Sequence, residues 1–381
     1  MESPLPSTTA SPDNRVPADV DGRLTRLLER HVARRGMHHA NVALVSGNGE
    51  RRWSAASCRT GTGTDEGTLH PGTPFFIASV TKRFVITLVL QAHERGELDL
   101  DAPIGRHLPA DATVGLHVLH GVDRTSAITV RHLAGHTSGL PDHFERRRGG
   151  PSRYEHLAAG HDEGWTFDDM VRMTREQQRP HFVPQDLTRP HQKARYSDTG
   201  FQLLIRILEV VTGRSFADLL TDRILAPLDL TRTWQPGRAA PDPTTPAPSP
   251  IYARRRRTDL GSMMEASNDL FSTTADLLTF QRGLLDGRLL REQRSLEALT
   301  ERCNRLRNIP VLRYGLGTMF FTYRRLRSPR RLTLVGHSGV TGTWLFHCPE
   351  VDLHLTGTVD QTKGQAAPFR LMARCLDAWL A

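Results

Sequence analysis

The chain has 381 residues, 38% of them hydrophobic and 24% charged, enough for one large domain or two ordinary ones and too apolar for general disorder. No run approaches the roughly 18 apolar residues of a membrane-spanning helix, so no membrane partner is expected. The formal charge is +9, and of the 50 basic residues only Lys82, Lys193 and Lys363 are lysines.

Taken in chain order, residues 1–21 read as a disordered lead-in rich in proline and acids. They hold neither a basic n-region nor an apolar h-region, which argues against a secretory signal and for a cytoplasmic protein. Leu24, Leu27, Leu28 and Val32 predict a helix over 22–34. "NVALVSGNGERRWSAAS" alternates around Gly-Asn-Gly and predicts a β-hairpin. "GTGTDEGT" (61–68) reads as a loop rather than a phosphate cradle. Phe84, Val85, Leu88, Val89 and Ala92 mark a strong helix over 80–95, with Gly96 at its C-terminal end. Helical patterns and long polar loops fill 105–290, among them the Pro-rich loop 237–250. "RLTLVG", "GTWLFHC" and "VDLHLTGTV" then read as three strands, and "PFRLMARCLDAWL" as a closing helix. Short connections favour an antiparallel sheet. The predicted fold class is α/β plus all-α. An antiparallel sheet flanked by terminal helices comes from about 22–104 and 291–381, with a helical part at about 105–290.

One stretch carries a chemical conflict. In "PFFIASVTKRF" (74–84) a lysine follows a serine by three residues, beside an apolar run. If Ser79 opens the helix, Lys82 lies on the same face. A serine hydroxyl needs a base to become nucleophilic, and burial can bring a lysine toward that role. A helix N-terminus also offers N–H groups to an oxyanion. By itself the pair reads more readily as a capping serine and a surface lysine, since Ser-x-x-Lys recurs often by chance.

Two downstream stretches change the weighing. "ARYSDTGF" places Tyr196 and Asp198 before a helix, and "LVGHSGVTGTW" places His337, Ser338 and Gly339 at a strand start. Together the three resemble the motifs of the active-site-serine β-lactamase and penicillin-binding protein superfamily. The closest likeness is to its class C β-lactamase, D-Ala-D-Ala carboxypeptidase and esterase branch. "ITVRHLAGHTSGLPD" (128–142), "FVP" (182–184), "SNDLFSTTADLLTF" (267–280) and "YGLG" (314–317) are similar to it as well, over residues 22–381. The resemblance implies a β-lactamase/transpeptidase-like fold and an acyl-serine enzyme. Ser79 would be the nucleophile, Lys82 its proton partner, and Tyr196 the general base and acid, as a phenolate or through Lys82. The N–H groups of Ser79 and Val340 would form the oxyanion hole. Asp198, His337, Ser338, Gly339 and Val340 would line the substrate cleft.

Two positions depart from the branch. Asp198 stands where Asn is usual. A carboxylate there would keep Lys82 charged and shift base duty to Tyr196, and its position also suits a helix N-cap. His337 replaces the lysine of most β-lactamases and would bind a substrate carboxylate more weakly. The expected activity is hydrolysis of an ester or amide in a small-molecule or peptide-like acyl substrate. The alternatives are a transacylase acting on an amine or alcohol, and a weakly catalytic penicillin-binding sensor or scaffold.

No cofactor and no metal are expected: His132 and His136 lack the glutamate of a zinc helix. The cysteines Cys58, Cys303, Cys348 and Cys375 show no metal spacing and read as free thiols. The arginine runs at 146–148, 254–257 and 324–331 lack aromatic interleaving, so nucleic acid is not an expected partner. They read as solvated loops or as a docking face for an acidic partner, such as an acidic carrier protein.

Overall fold

The computed structural model describes residues 6–59, 69–146, 148–325, 330–362 and 366–381. The predicted 61–68 loop, Lys363 and parts of two arginine runs lie outside the described residues. A nine-stranded sheet organises the molecule. Its strands are β1 (Pro6–Ala10), β2 (His39–Ser46), β3 (Arg52–Arg59), β4 (Asn304–Arg305), β5 (Arg313–Tyr314), β6 (Met319–Arg324), β7 (Arg331–Ser338), β8 (Trp344–Cys348) and β9 (Leu353–Thr358). Every neighbouring pair is antiparallel, in the order β1-β3-β2-β9-β8-β7-β6-β5-β4. The two chain ends thus meet where β2 pairs with β9.

Alternation along the strands sorts side chains to two faces. One face carries Ala40, Val42, Leu44, Leu353 and Leu355. On it lie helices α1 (Ala18–Val32) and α5 (Ala366–Leu380), through Leu24, Leu28, Leu376 and Trp379. The other face is covered by α4 (Thr274–Leu285), which packs on β2, β8 and β9. Between sheet and helical part runs α2 (Thr81–Glu94), buried without a break from Thr81 to Ala92. A helix buried all round belongs to the centre of a large core. α3 (Asp198–Thr212) packs directly against it.

The predicted hairpin, α2, the last three strands and both flanking helices are present within a few residues. The lead-in is a correction. Pro6–Ala10 forms an edge strand on β3, and α1 begins at Ala18 behind Pro17, with Asp19 and Asp21 in its first turn. Backbone pairing to an open edge holds "PSTTA" in place, and such pairing leaves no hydrophobic pattern to read. Strands β4 and β5 are likewise too short for periodicity. Helix α4, which lies within the stretch read as helical, packs on the sheet. No helix among the described residues is long and apolar enough to cross a membrane.

Leu28 is fully buried between α1 and the sheet. Leu28→Ala is expected to cost about 2–5 kcal/mol. The check is a lower denaturant midpoint at unchanged slope.

Candidate active site

Ser79 sits in a tight turn, Ala78–Val80, that leads into α2. The turn is clamped from two sides. The Ile77 N–H donates to the Leu270 carbonyl at 2.8 Å, and the Thr343 hydroxyl donates to the Ile77 carbonyl at 2.9 Å. Ala78 is held at φ +47°, a conformation an L-residue adopts only when its surroundings impose it. This turn presents Ser79 to a cavity of about 520 Å³.

Four groups converge there. Lys82 Nζ donates to Ser79 Oγ at 3.1 Å and forms an ion pair with the Asp198 carboxylate. Tyr196 Oη donates to Ser79 Oγ at 2.8 Å and lies 3.4 Å from Asp198 Oδ1. The Lys82 ammonium also stands over the rings of Tyr196 and Phe201, 5.2 and 5.3 Å from their centroids.

The charge states follow from these contacts. Burial alone would lower the Lys82 pKa, but the touching Asp198 carboxylate overrides it and holds the ammonium above the usual lysine range. Burial would raise Asp198, and Lys82 holds it below the ordinary carboxylate value. Tyr196 is pushed well above 10 by burial and then by the Asp198 charge. The resting site is therefore an ammonium, a carboxylate and a neutral phenol, so a standing Tyr196 phenolate is corrected.

Ser338, Gly339 and Val340, at the end of β7, line the cavity opposite Ser79. A Cβ on Gly339 would meet Thr343 Oγ1 at 2.2 Å and the Ile77 carbonyl at 2.8 Å. Only glycine lets this strand end approach the turn that carries the serine.

Two expected positions differ. His337 does not line the cavity. It is fully buried, because consecutive residues of β7 point to opposite faces. Its Nδ1 lies 2.8 Å from the Ser338 carbonyl and its Nε2 2.9 Å from Tyr314 Oη. A proton on Nδ1, with Tyr314 donating to Nε2, satisfies both contacts. Burial, then the Lys82 charge, keeps the ring neutral. Nor is Asp198 the N-cap: Ser197 holds that position without a side-chain capping bond, its hydroxyl donating to the Pro141 carbonyl at 2.8 Å, and Asp198 is the first residue of α3. Asp198 lines the cavity, with its oxygens turned to Lys82, Tyr196 and Tyr154.

Sequence reasoning missed three groups. Tyr154 and Asp269 line the cavity, and Asp142 lies behind Tyr154 at 2.9 Å. Burial pushes Asp269 up to about 7, against the pull of Lys82. Asp142 closes the "HTSGLPD" stretch and Asp269 the "SND", so both lay inside matched segments. Tyr154 follows a capping box at Ser152 and carried no motif. The expected structural reading of His136 fits its place: its ring lies 4.5 Å from that of Tyr196 and 4.3 Å from that of Tyr314. His132 Nδ1 accepts the Thr129 N–H at 3.1 Å and its Nε2 donates to the Gln185 carbonyl at 2.6 Å, so both of its ring nitrogens are engaged. Among the described residues one group has ligand atoms close enough for a metal ion: His347, Asp352 and His354. It lies around the β8–β9 turn, and none of its members lines the Ser79 cavity.

The family profile described as Beta-lactamase matches residues 24–374, and the chain belongs to that family. It is 33% identical over 172 residues to Penicillin-binding protein 4 of Amycolatopsis lactamdurans, covering 43% of this chain and 39% of that protein. It is 31% identical over 173 residues to Monacolin J acid methylbutanoyltransferase of Aspergillus terreus, covering 43% and 38%. The match thus spans about two fifths of each relative. Over nearly the whole chain the structure resembles a D-stereospecific amidohydrolase from Streptomyces sp., at 26% identity and a TM-score of 0.69, covering 92% and 97%.

Two predictions follow from the geometry. Gly339→Ala is expected to separate β7 from the serine turn and to slow acylation of Ser79 by roughly 10²-fold, the scale of an ångström-sized misplacement. Single-turnover kinetics with a chromogenic ester would measure it. The second concerns pH. His31 is held near pKa 4, His136, His143 and His354 near 3, and His337 well below its ordinary value, all by burial first. The unfolded chain binds those protons below about pH 6.5 and the folded one does not. Asp142, Asp269 and Asp276 are raised and act in the opposite sense, but they are fewer. The urea midpoint is expected to rise from pH 4 to pH 7, and a flat or falling profile would contradict these charge states.

Proposed function

We propose that the chain is a serine acyl-transfer enzyme that cleaves an ester or amide through an acyl-Ser79 intermediate. The observation that carries this reading is a serine oxygen within 2.8 Å of a phenol and 3.1 Å of an ammonium at the wall of one cavity. The Tyr196 hydrogen turns from Ser79 to Asp198 Oδ1, and Ser79 Oγ then attacks the substrate carbonyl while its own proton passes to Tyr196 Oη. The Tyr196 proton moves toward Asp198 Oδ1, the ionised carboxylate beside it. Lys82 remains an ammonium and stabilises the charge that develops on both oxygens. The N–H groups of Ser79 and Val340 are assigned to the carbonyl oxygen. The reverse proton path serves the leaving group.

Phe76, Val85, Phe201, Met263, Leu312 and Phe369 give the cavity apolar walls, which fit a small apolar acyl group. Ser338, Gly339 and Val340 would border it at the strand end. The likeness to a methylbutanoyltransferase, named for a short branched acyl group, supports a second reading, in which an amine or alcohol replaces water as acceptor. An acidic carrier protein would find the exposed Arg254 and Arg255 at the tip of the Ile251–Thr258 hairpin. The free cysteines fit a reducing compartment such as the cytoplasm. A pure sensor would not need the Tyr196–Ser79 contact.

Intact-mass spectrometry with an activated ester is expected to show one acyl adduct on the wild type and none on Ser79→Ala. Tyr196→Phe should slow acylation by roughly 10²–10⁴-fold. A near-normal rate in that variant would remove Tyr196 from the reaction. Adding amines or alcohols to the acylated protein then separates the two readings: exclusive release to water ends the transacylase one.

A further inference from the structure

Asp142 is 1% exposed and shares one hydroxyl with Asp198. Tyr154 Oη lies 2.9 Å from Asp142 Oδ2 and 3.3 Å from Asp198 Oδ2. A phenol carries one hydrogen. With both carboxylates ionised, that hydrogen could serve only one, and the other contact would set two lone pairs face to face between like charges. One additional proton resolves the conflict. We propose that Asp142 is an un-ionised carboxylic acid at neutral pH and that, through Tyr154, it is a positioning residue holding Asp198 as the carboxylate partner of Lys82.

The proton belongs on Asp142 by its surroundings. Asp198 touches an ammonium, whereas the recorded partners of the Asp142 carboxyl are neutral donors. Its Oδ1 accepts the Phe144 N–H at 2.9 Å, which leaves Oδ2 to bear the hydrogen and give it to Tyr154. Tyr154 then gives its own to Asp198. The other titratable groups facing Asp142 do not displace the proton. Glu145 is engaged by Arg195 at 2.6 Å and His181 at 3.3 Å. His143 Nδ1 lies 4.0 Å from Oδ1 and 3.2 Å from Thr199 Oγ1, in a ring that burial, with Arg153 nearby, keeps neutral. Burial first, then Asp198, raises the Asp142 carboxyl well above its ordinary value, in agreement. The sequence is thus Asp142–Tyr154–Asp198–Lys82, each hydrogen given toward the ammonium-paired carboxylate, with no bond broken and no proton left over.

The kinetic part rests on the acyl-transfer reading; the protonation state does not, and it is tested without turnover. The wild-type minus Asp142→Asn infrared difference spectrum at neutral pH is expected to contain the carbonyl stretch of a protonated carboxylic acid, shifted by deuteration. Only carboxylate bands in that difference would overturn the proposal, whatever the variant's activity. In acyl transfer, Tyr154→Phe removes the hydrogen bond given to Asp198, and Asp142→Ala removes the donor that strengthens it. The acid limb of kcat/KM should therefore move to higher pH. Asp142→Asn, which still gives an N–H to Tyr154 and still accepts from Phe144, should leave the limb where the wild type has it. A limb that moves as far in Asp142→Asn as in Asp142→Ala would also overturn the proposal. So would a uniform loss of rate with no movement in Tyr154→Phe, since a merely structural role predicts that result.

Discussion

The contact between the Lys82 ammonium and the Asp198 carboxylate governs the rest of this site. Both groups are deeply enclosed, with 4% and 15% of their side chains exposed. Two charges withdrawn from water tolerate each other's presence and little else: removing either partner leaves an uncompensated buried charge. The pair joins the first turn of α2 to the first residue of α3, the two helices that form the centre of the helical core. It also decides which groups are free to exchange protons. An ammonium held by a carboxylate is a poor base, and the neutral phenol of Tyr196 lies beside both Ser79 and that carboxylate.

The sheet contributes position rather than chemistry. Its β7 edge of the cavity is drawn against the serine turn by the absence of a Cβ at Gly339 and by the Thr343 bond to Ile77. The buried His337 and Tyr314 behind it form a neutral pair, so the strand end carries no cation of its own. A histidine in that place supports the strand from behind instead of reaching for a substrate carboxylate. The cavity is bordered on this side by Ser338, Gly339 and Val340.

Much of this was legible in the sequence, for physical reasons. Long elements with a full apolar face, such as α1, α2 and β9, carry their burial in their periodicity. Ser79, Lys82 and Tyr196 could be singled out because the motifs name particular side chains at particular spacings, and the fold brings the three together. What escaped was of two kinds. β1, β4 and β5 are held by backbone pairing, which any side chain permits. Asp142, Tyr154 and Asp269 reach the site through the fold alone, from segments far apart in the chain. His337 was misplaced for a third reason: a motif names neighbours in sequence, while a strand sends neighbours to opposite faces.

Asp198 in place of the usual asparagine is the feature that ties these observations together. An amide there would donate as well as accept, and could hold a substrate carbonyl. A carboxylate only accepts, and in this site its oxygens are turned to Lys82, Tyr196 and Tyr154. The site thereby holds a standing negative charge next to Tyr196 where an amide would be neutral. The cavity has mostly apolar walls and a proton path on one side. Apolar walls do not order water, so on the proposed acyl-Ser79 reading the fate of the acyl group depends on which nucleophile the walls admit beside Tyr196. An acceptor with an apolar body and a single hydroxyl or amine would displace water from those walls and meet the same base that water would. On that reading, hydrolysis and transfer differ only in occupancy, set by the fit of the acceptor, while the proposed step at Ser79 is common to both.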